Sequence, residues 1–274
     1  MNRIFVKCIF LDVDGTLISF NTHKVPQSAI SALNKAYNKG VKIIIATGRP
    51  FTDLKELKDV PYDAVAALNG SYCVLRDGTP VATKPITQAD FDKVRALARK
   101  YDFPLAIENN RGFFIDKVNQ RVIDLARLVD HEVPEVVDLD EEFRREVCCQ
   151  VCIYCDETVE KKIMAELPGL TVSRWNPYFA DVNVAGVDKS VGVDAFCKYY
   201  GFSRDEVMAI GDGGNDIPML KAAGIGVAMG EASDAVKAAA DYVTDSVDDN
   251  GIYNALSHFG VALTQPRRSD SPQS

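Results

Sequence analysis

The sequence predicts an α/β protein whose parallel sheet is interrupted by an inserted α+β unit. Two observations carry that prediction. Apolar runs of strand length alternate with amphipathic helical stretches over the first 84 residues, and the same rhythm, lost between residues 85 and 185, returns from Lys189 onward. Such alternation implies right-handed βαβ crossovers, with chemistry expected in the loops at the carboxyl ends of the strands. At 274 residues the chain is long enough for one large unit or two unequal ones.

Ile4 to Val13 is a mostly apolar run ending in Asp-Gly, the pattern of a strand buried on both faces. Pro26 to Asn38 places Ile30, Leu33 and Tyr37 at helical spacing between an opening proline and Gly40. Val41 to Ala46 and Ala64 to Leu68 are further strands, and Tyr72 to Thr83 reads as a hairpin turning at Asp77-Gly78. A helix over Thr87 to Tyr101, opened by the Thr87/Asp90 capping pattern, begins the insert. Strands at Leu105–Glu108 and Gly112–Ile115, a helix at Val118–Val129, a strand at Glu146–Cys155, a helix at Thr158–Leu167 and strands at Leu170–Arg174 and Phe179–Val184 complete it. A helix from Lys189 to Tyr200 then leads to a Ser203/Glu206 capping box that starts a single turn. The strand Val207–Ile210, the helix Ile217–Ala223, the strand Ile225–Met229, the helix Ala232–Ala240 and the strand Tyr242–Thr244 follow. Residues 1–84 and 186–264 therefore read as one discontinuous unit and 85–185 as the insert. Residues 265–274 lack apolar content and read as a disordered tail.

Composition narrows the partners. A net charge of -8 disfavours broad binding to nucleic acid or anionic membrane, while leaving room for a small anion held by a local site. Seven cysteines, an odd number, speak against a disulfide framework and for a reducing, cytoplasmic setting. No apolar run approaches the roughly 20 residues needed to span a bilayer.

Three strand exits and one helix start concentrate the reactive side chains. In Asp12-Val13-Asp14-Gly15-Thr16 two carboxylates sit one residue apart where the chain leaves the first strand. If the chain begins to turn there, both face one cavity, and their repulsion raises a pKa or demands a cation. One could then attack as a nucleophile while the other moves a proton; an Asp-Gly turn with two solvated acids is the competing reading. Ala46-Thr47-Gly48-Arg49-Pro50 ends a strand at groups able to hold an anion, or is an ordinary strand exit. Gly211-Asp212-Gly213-Gly214-Asn215-Asp216 offers hard oxygen ligands among glycines, which suits Mg²⁺, unless it is a structural glycine turn. Lys189, at a helix start where the dipole disfavours it, could cancel phosphate charge or lie on the surface.

In this order the four motifs, with Asn69-Gly70 before the hairpin and Asp188-Lys189-Ser190, resemble those of the haloacid dehalogenase-like superfamily, specifically its Cof-type phosphatases. The run from Gly211 to Leu220, GDGGNDIPML, is the most specific match. The resemblance implies a Rossmann-like core with an inserted α+β cap at 85–185, and a Mg²⁺-dependent phosphatase of small phosphorylated metabolites, sugar phosphates foremost. It implies that Asp12 is the nucleophile that becomes an aspartyl-phosphate and Asp14 the general acid and base. Thr47, Gly48, Lys189 and Asn215 would bind phosphate. Asp12, Asp14 through its carbonyl, Asp212 and Asp216 would form the metal site, and Arg49 and Asn69 would touch substrate. A sugar phosphomutase is the nearest rival. A phospho-accepting signalling domain is the more distant one, being much shorter and carrying its aspartate on a later strand. The resemblance leaves the oligomeric state open.

The remaining features are read as structural. Cys148, Cys149, Cys152 and Cys155 fall on one strand with alternating faces, so they read as buried thiols rather than a metal site. His23, His131 and His258 lack zinc spacing. Asp130 to Glu146 reads as a solvated acidic surface. Arg174, Trp175 and Tyr178 are candidates for either substrate contact or packing.

Overall fold

A computed structural model describes residues 5–109, 111–128, 132–174 and 176–261. The tail at 265–274, Trp175 and His131 lie outside the described residues. In chain order the first half comprises β1 (Cys8–Leu11), α1 (Gln27–Tyr37), β2 (Lys42–Ala46), β3 (Ala64–Ala67), β4 (Tyr72–Leu75), β5 (Pro80–Thr83), α2 (Gln88–Tyr101), β6 (Leu105–Asn109), β7 (Gly112–Ile115), α3 (Gln120–Leu128), β8 (Glu135–Val136) and α4 (Leu139–Arg145). The second half comprises β9 (Gln150–Ile153), α5 (Glu157–Met164), β10 (Leu170–Ser173), β11 (Ala180–Val184), α6 (Lys189–Tyr200), β12 (Val207–Gly211), α7 (Ile217–Ala222), β13 (Ile225–Ala228), α8 (Asp234–Lys237), β14 (Tyr242–Val243) and α9 (Gly251–His258).

Two sheets result. The larger has the order β14-β13-β12-β1-β2-β3-β4-β5. It is parallel from β14 to β3, and β4 and β5 add antiparallel strands at one edge. Successive residues of its strands face opposite sides, which is why the apolar runs are unbroken. Ile9, Leu11, Ile43 and Ile45 pack with Ala29 and Leu33 of α1 and Ile252 and Leu256 of α9. Cys8, Phe10, Ile44 and Ala46 pack with Val193 and Phe196 of α6 and Met219 and Leu220 of α7. Leu11 lies between Ile210 of β12 and Ile45 of β2, so the exits of these three strands are neighbours at one end of the sheet.

The smaller sheet has the order β10-β11-β9-β6-β7-β8 and is antiparallel apart from the β7–β8 pair. Its outer face, Leu105, Ile107, Val151, Ile153 and Val182, is covered by Phe91 and Val94 of α2, Leu139 of α4 and Ile163 of α5. α2 starts as expected, with the Thr87 side chain accepting from the Asp90 amide.

Two departures from the expected elements have clear causes. The acidic stretch before Glu146 is no merely solvated surface: Asp138 caps α4, and Glu142, 2% exposed, accepts from Asn109 Nδ2 at 3.0 Å and Arg111 Nη1 at 3.1 Å. Glu142 is tolerated inside because Asn109 and Arg111 of the β6–β7 hairpin and Arg145 of its own helix, at 3.7 Å, satisfy its oxygens. The helix α9, unexpected from the sequence, buries Ile252, Ala255 and Leu256 at helical spacing.

One turn carries backbone strain. Leu68, Asn69 and Gly70 all have positive φ, 51°, 55° and 87°, a conformation that costs an L-residue roughly 1–2 kcal/mol. It is held by Leu68 N donating to Arg49 O at 3.1 Å and Asn69 N to Thr47 O at 2.9 Å. A Cβ on Gly70 would lie 2.6 Å from the carbonyl oxygen of Asp188, just ahead of α6. Gly70→Ala is therefore expected to lower stability by more than about 1 kcal/mol in denaturant unfolding.

Candidate active site

The site is built at the shared exit of β1, β2 and β12, closed from the side by the start of α6. Lys189, the first residue of α6, is fully buried. Its ammonium donates to Asp12 Oδ1 and, at 2.6 Å, to Asp216 Oδ1. Burial alone would lower the lysine pKa, but the Asp12 and Asp216 carboxylates raise it, so the ammonium stays charged. The second oxygen of Asp216 accepts from the amides of Asp212 and Gly213 at 3.0 and 2.8 Å, which shapes the β12 loop. Thr16 Oγ1 donates to Asp212 Oδ1 at 2.7 Å, tying the β1 loop to the β12 loop. These loops approach so closely that a Cβ on Gly15, at φ 88°, would collide with the Asp212 carboxylate.

Asp12, Asp212 and Asp216 bring carboxylate oxygens within 4.8 Å of one another. Burial, then the neighbouring Asp216, push the Asp12 carboxyl well up despite Lys189. Burial raises Asp212 to about 6, with Asp216 adding to the shift and Thr16 and Lys189 opposing it. Three carboxyl groups share a single ammonium in a low-dielectric place, and the raised Asp12 and Asp212 show that their ionisation calls for a further cation. That donor set, hard oxygens packed around unfilled charge, fits a divalent cation.

Asp14 points elsewhere. Arg49 grips its carboxylate with a two-pronged pair, Nη2 to Oδ1 at 2.5 Å and Nε to Oδ2 at 2.9 Å. Arg49 also reaches Glu56 Oε2 at 3.3 Å. Thr47, 1% exposed, accepts the Arg49 amide on Oγ1 at 3.0 Å and keeps its hydroxyl proton for a further acceptor. Asn215 Nδ2 donates to Asn69 Oδ1 at 3.1 Å. The sequence-predicted residues thus fall into two linked groups, Asp12–Lys189–Asp212–Asp216 around the ammonium and Asp14–Arg49–Thr47 around the guanidinium, with Asn69–Asn215 beside them.

Sequence reasoning missed the inner face of the smaller sheet. Register places Thr171, Asn183, Gln150 and Glu108 in one cross-strand row and Ser173, Asp181, Cys152 and Ala106 in the next. The first row is fastened to the larger sheet. Asn183 Nδ2 donates to Ser71 Oγ at 2.9 Å, Asn69 Nδ2 to Gln150 Oε1 at 3.3 Å and Gln150 Nε2 to Gly48 O at 3.4 Å. Polar residues at alternate positions of β9 and β11 were the available signal, but which face meets the site depends on pairing that a sequence does not display. Cys152 is a buried thiol among apolar neighbours, as expected, packing with Ala106, Ile115 and Leu125, and it also donates to Asp181 Oδ1 at 3.4 Å. Cys148 and Cys155 pack on the opposite, apolar face. Arg174 is bound to Glu160 Oε2 at 2.6 Å and to Cys155 O at 3.0 Å. That pair sits in a separate open cleft of about 480 Å³, away from the carboxylates.

The comparisons agree with this geometry. Residues 9–256 match the model of the haloacid dehalogenase-like hydrolases. The phosphatase BT1666 of Bacteroides thetaiotaomicron superposes with a TM-score of 0.91 and is 55% identical, over 95% of this chain and 97% of that one. The subclass IIB sugar phosphatase BT4131 gives 0.85 and 37%, over 93% and 100%. The 5-amino-6-(5-phospho-D-ribitylamino)uracil phosphatase YcsE of Bacillus subtilis is 27% identical over 93% of this chain and 96% of its own length. A parallel sheet that gathers carboxylates and a buried lysine at its strand exits belongs, with such relatives, to a phosphatase. The chain belongs to the haloacid dehalogenase-like hydrolases, in their Cof-type branch. Hydrolases of this family generally use a divalent metal. No helix among the described residues is long and apolar enough to cross a membrane.

Two measurements test these electrostatics. Lys189→Met should cost about 3–5 kcal/mol in urea unfolding, because it strands buried carboxylates; making Asp12 and Asp216 amides in the same chain should recover much of that loss. Burial holds Asp181 up at about 7, so the folded state keeps a proton that the unfolded state releases near the ordinary aspartate value. Its contribution is full at low pH and is lost as pH rises through 7. Asp181→Asn should therefore raise the Tm over the parent more at about pH 8 than at about pH 4.

Proposed function

We propose that the chain is a Mg²⁺-dependent phosphatase of small phosphorylated metabolites, with sugar phosphates as its class, acting through an aspartyl-phosphate on Asp12. The observation that carries this reading is the arrangement of Asp12, Asp212 and Asp216 around the buried Lys189 ammonium. Two structural relatives are phosphatases, one of them a sugar phosphatase, and a curated relative acts on a phosphorylated ribityl compound.

Asp12, Asp212 and Asp216, with the backbone carbonyl of Asp14, would hold the Mg²⁺, which when bound offsets the charge of a phosphate dianion as it meets a carboxylate. Lys189, Thr47, the Gly48 turn and Asn215 hold the phosphoryl oxygens. Lys189 supplies positive charge that solvent cannot screen, and electrostatic positioning of this kind accounts for most of phosphoryl-transfer catalysis. A carboxylate oxygen of Asp12 bonds to phosphorus as the bond from phosphorus to the alcohol oxygen breaks. Asp14 gives its proton to that departing oxygen. It then takes a proton from the water that attacks phosphorus, and the Asp12–phosphorus bond breaks to release inorganic phosphate. In this structure the Arg49 fork takes up both Asp14 oxygens, so Asp14 turns out of that pair to make the two transfers. Residues 85–185 act as the cap, and docking of its inner face on Gly48, Asn69 and Ser71 excludes bulk water. The seven free, buried thiols suit a reducing compartment such as the cytoplasm.

Phosphate release from a panel of sugar phosphates should stop in Asp12→Asn and in excess chelator, and Mg²⁺ should restore it after chelation. Mg²⁺ should also raise the Tm of the parent by mass action. Normal turnover by Asp12→Asn would sink the mechanism.

A further inference from the structure

A cavity of about 170 Å³ lies between the two sheets. Its larger-sheet side is formed by Lys189, Asn215 and Asn69, and its other side by Thr171, Ser173 and Asn183. Asn183 shows which way this face looks, since its amide bonds Ser71 and Leu68 of the larger sheet. Thr171 is its cross-strand partner, and Ser173 pairs with Asp181 in the next row, so both hydroxyls share that face. Neither hydroxyl has a hydrogen-bond partner among the described residues, and both side chains are only half-buried.

The chemistry of the lining selects an occupant. Among the described residues, no aromatic ring lines the cavity to stack a nucleobase. Among the described residues Lys189 is its one cation, and that ammonium is already engaged by Asp12 and Asp216, so a second phosphate or a carboxylate finds no counter-charge among them. Hydroxyls and amides remain, able both to donate and to accept. Resting on the phosphatase reading above, we propose that Thr171 and Ser173 of β10 are specificity-determining residues that bind the hydroxyls of a neutral, polyhydroxylated leaving group. An ester whose phosphoryl group sits at Lys189 places its alcohol part against β10, which ties the choice of substrate to a strand of the smaller sheet that carries none of the catalytic motifs.

The test compares kcat/KM for a hexose phosphate, a hexitol phosphate and p-nitrophenyl phosphate, which has no leaving-group hydroxyl to offer these two residues. In the Thr171→Val/Ser173→Ala variant the ratio of either polyol ester to p-nitrophenyl phosphate should fall roughly tenfold, mainly through KM, the loss of two ordinary hydrogen bonds. Thr171→Ser, which keeps the hydroxyl, should stay within roughly twofold of the parent ratio. An unchanged ratio in the double variant overturns the assignment, as does an equal fall in Thr171→Ser. If the unaltered chain, with Mg²⁺, releases phosphate from none of the three esters, the phosphatase reading itself fails, an outcome distinct from an unchanged ratio in an active enzyme.

Discussion

The ammonium of Lys189, buried between Asp12 and Asp216, is the interaction on which the site depends. Removing a lysine and two carboxylates from water costs several kcal/mol per ion, and a set of apolar side chains of similar volume would serve stability as well or better. The charges are therefore best understood as functional. They also act against the helix that carries them, since the positive end of the α6 dipole disfavours a lysine there. The Asp188 cap on the Ser190 amide and the two facing carboxylates offset that penalty. Strong local fields at strand ends thus depend on α6 being driven into place by Val193 and Phe196 against the larger sheet.

The second constraint is the join between the sheets. Asn183, Gln150 and Asn69 are buried amides that satisfy one another and the backbone of the neighbouring sheet. Amides suit such a surface because each both donates and accepts, so the contact can part without stranding a charge. The left-handed turn at Leu68–Gly70 gives this join its geometry. It directs Asn69 toward Asn215 on one side and Gln150 on the other, and strain of that kind is retained where position matters more than stability.

Much of the molecule was legible from local pattern. The strands of the larger sheet read as unbroken apolar runs because both faces are buried, and α2 is announced by the Thr87/Asp90 cap. Asp12, Asp14, Thr47, Lys189, Asp212 and Asp216 stood out because each sits where an apolar run or helix begins or ends, and Asp14, Thr47 and Asp212 adjoin a glycine. Most acids of the stretch before Glu146 are exposed, as a solvated surface requires, but the burial of Glu142 is not legible along the chain because Asn109 and Arg111 reach it from a hairpin distant in sequence. Likewise the split of the site, with Asp14 on Arg49 rather than beside Asp12 on Lys189, follows from how the β1 loop turns between Val13 and Ile18.

By itself the sequence determined the α/β class, the order of most elements, though not β8, α4 and α9, and the types of reactive group at the strand exits. Those depend on periodicity, on capping and on which residues can occupy a turn, all properties of neighbours along the chain. Only the tertiary structure decided which charges face one another and that Thr171, Ser173, Asp181 and Asn183 look toward the larger sheet. The reason is physical: a one-residue change of strand register exchanges the two faces of a sheet, and the field at a buried carboxylate is set by groups that only folding brings within a few ångströms.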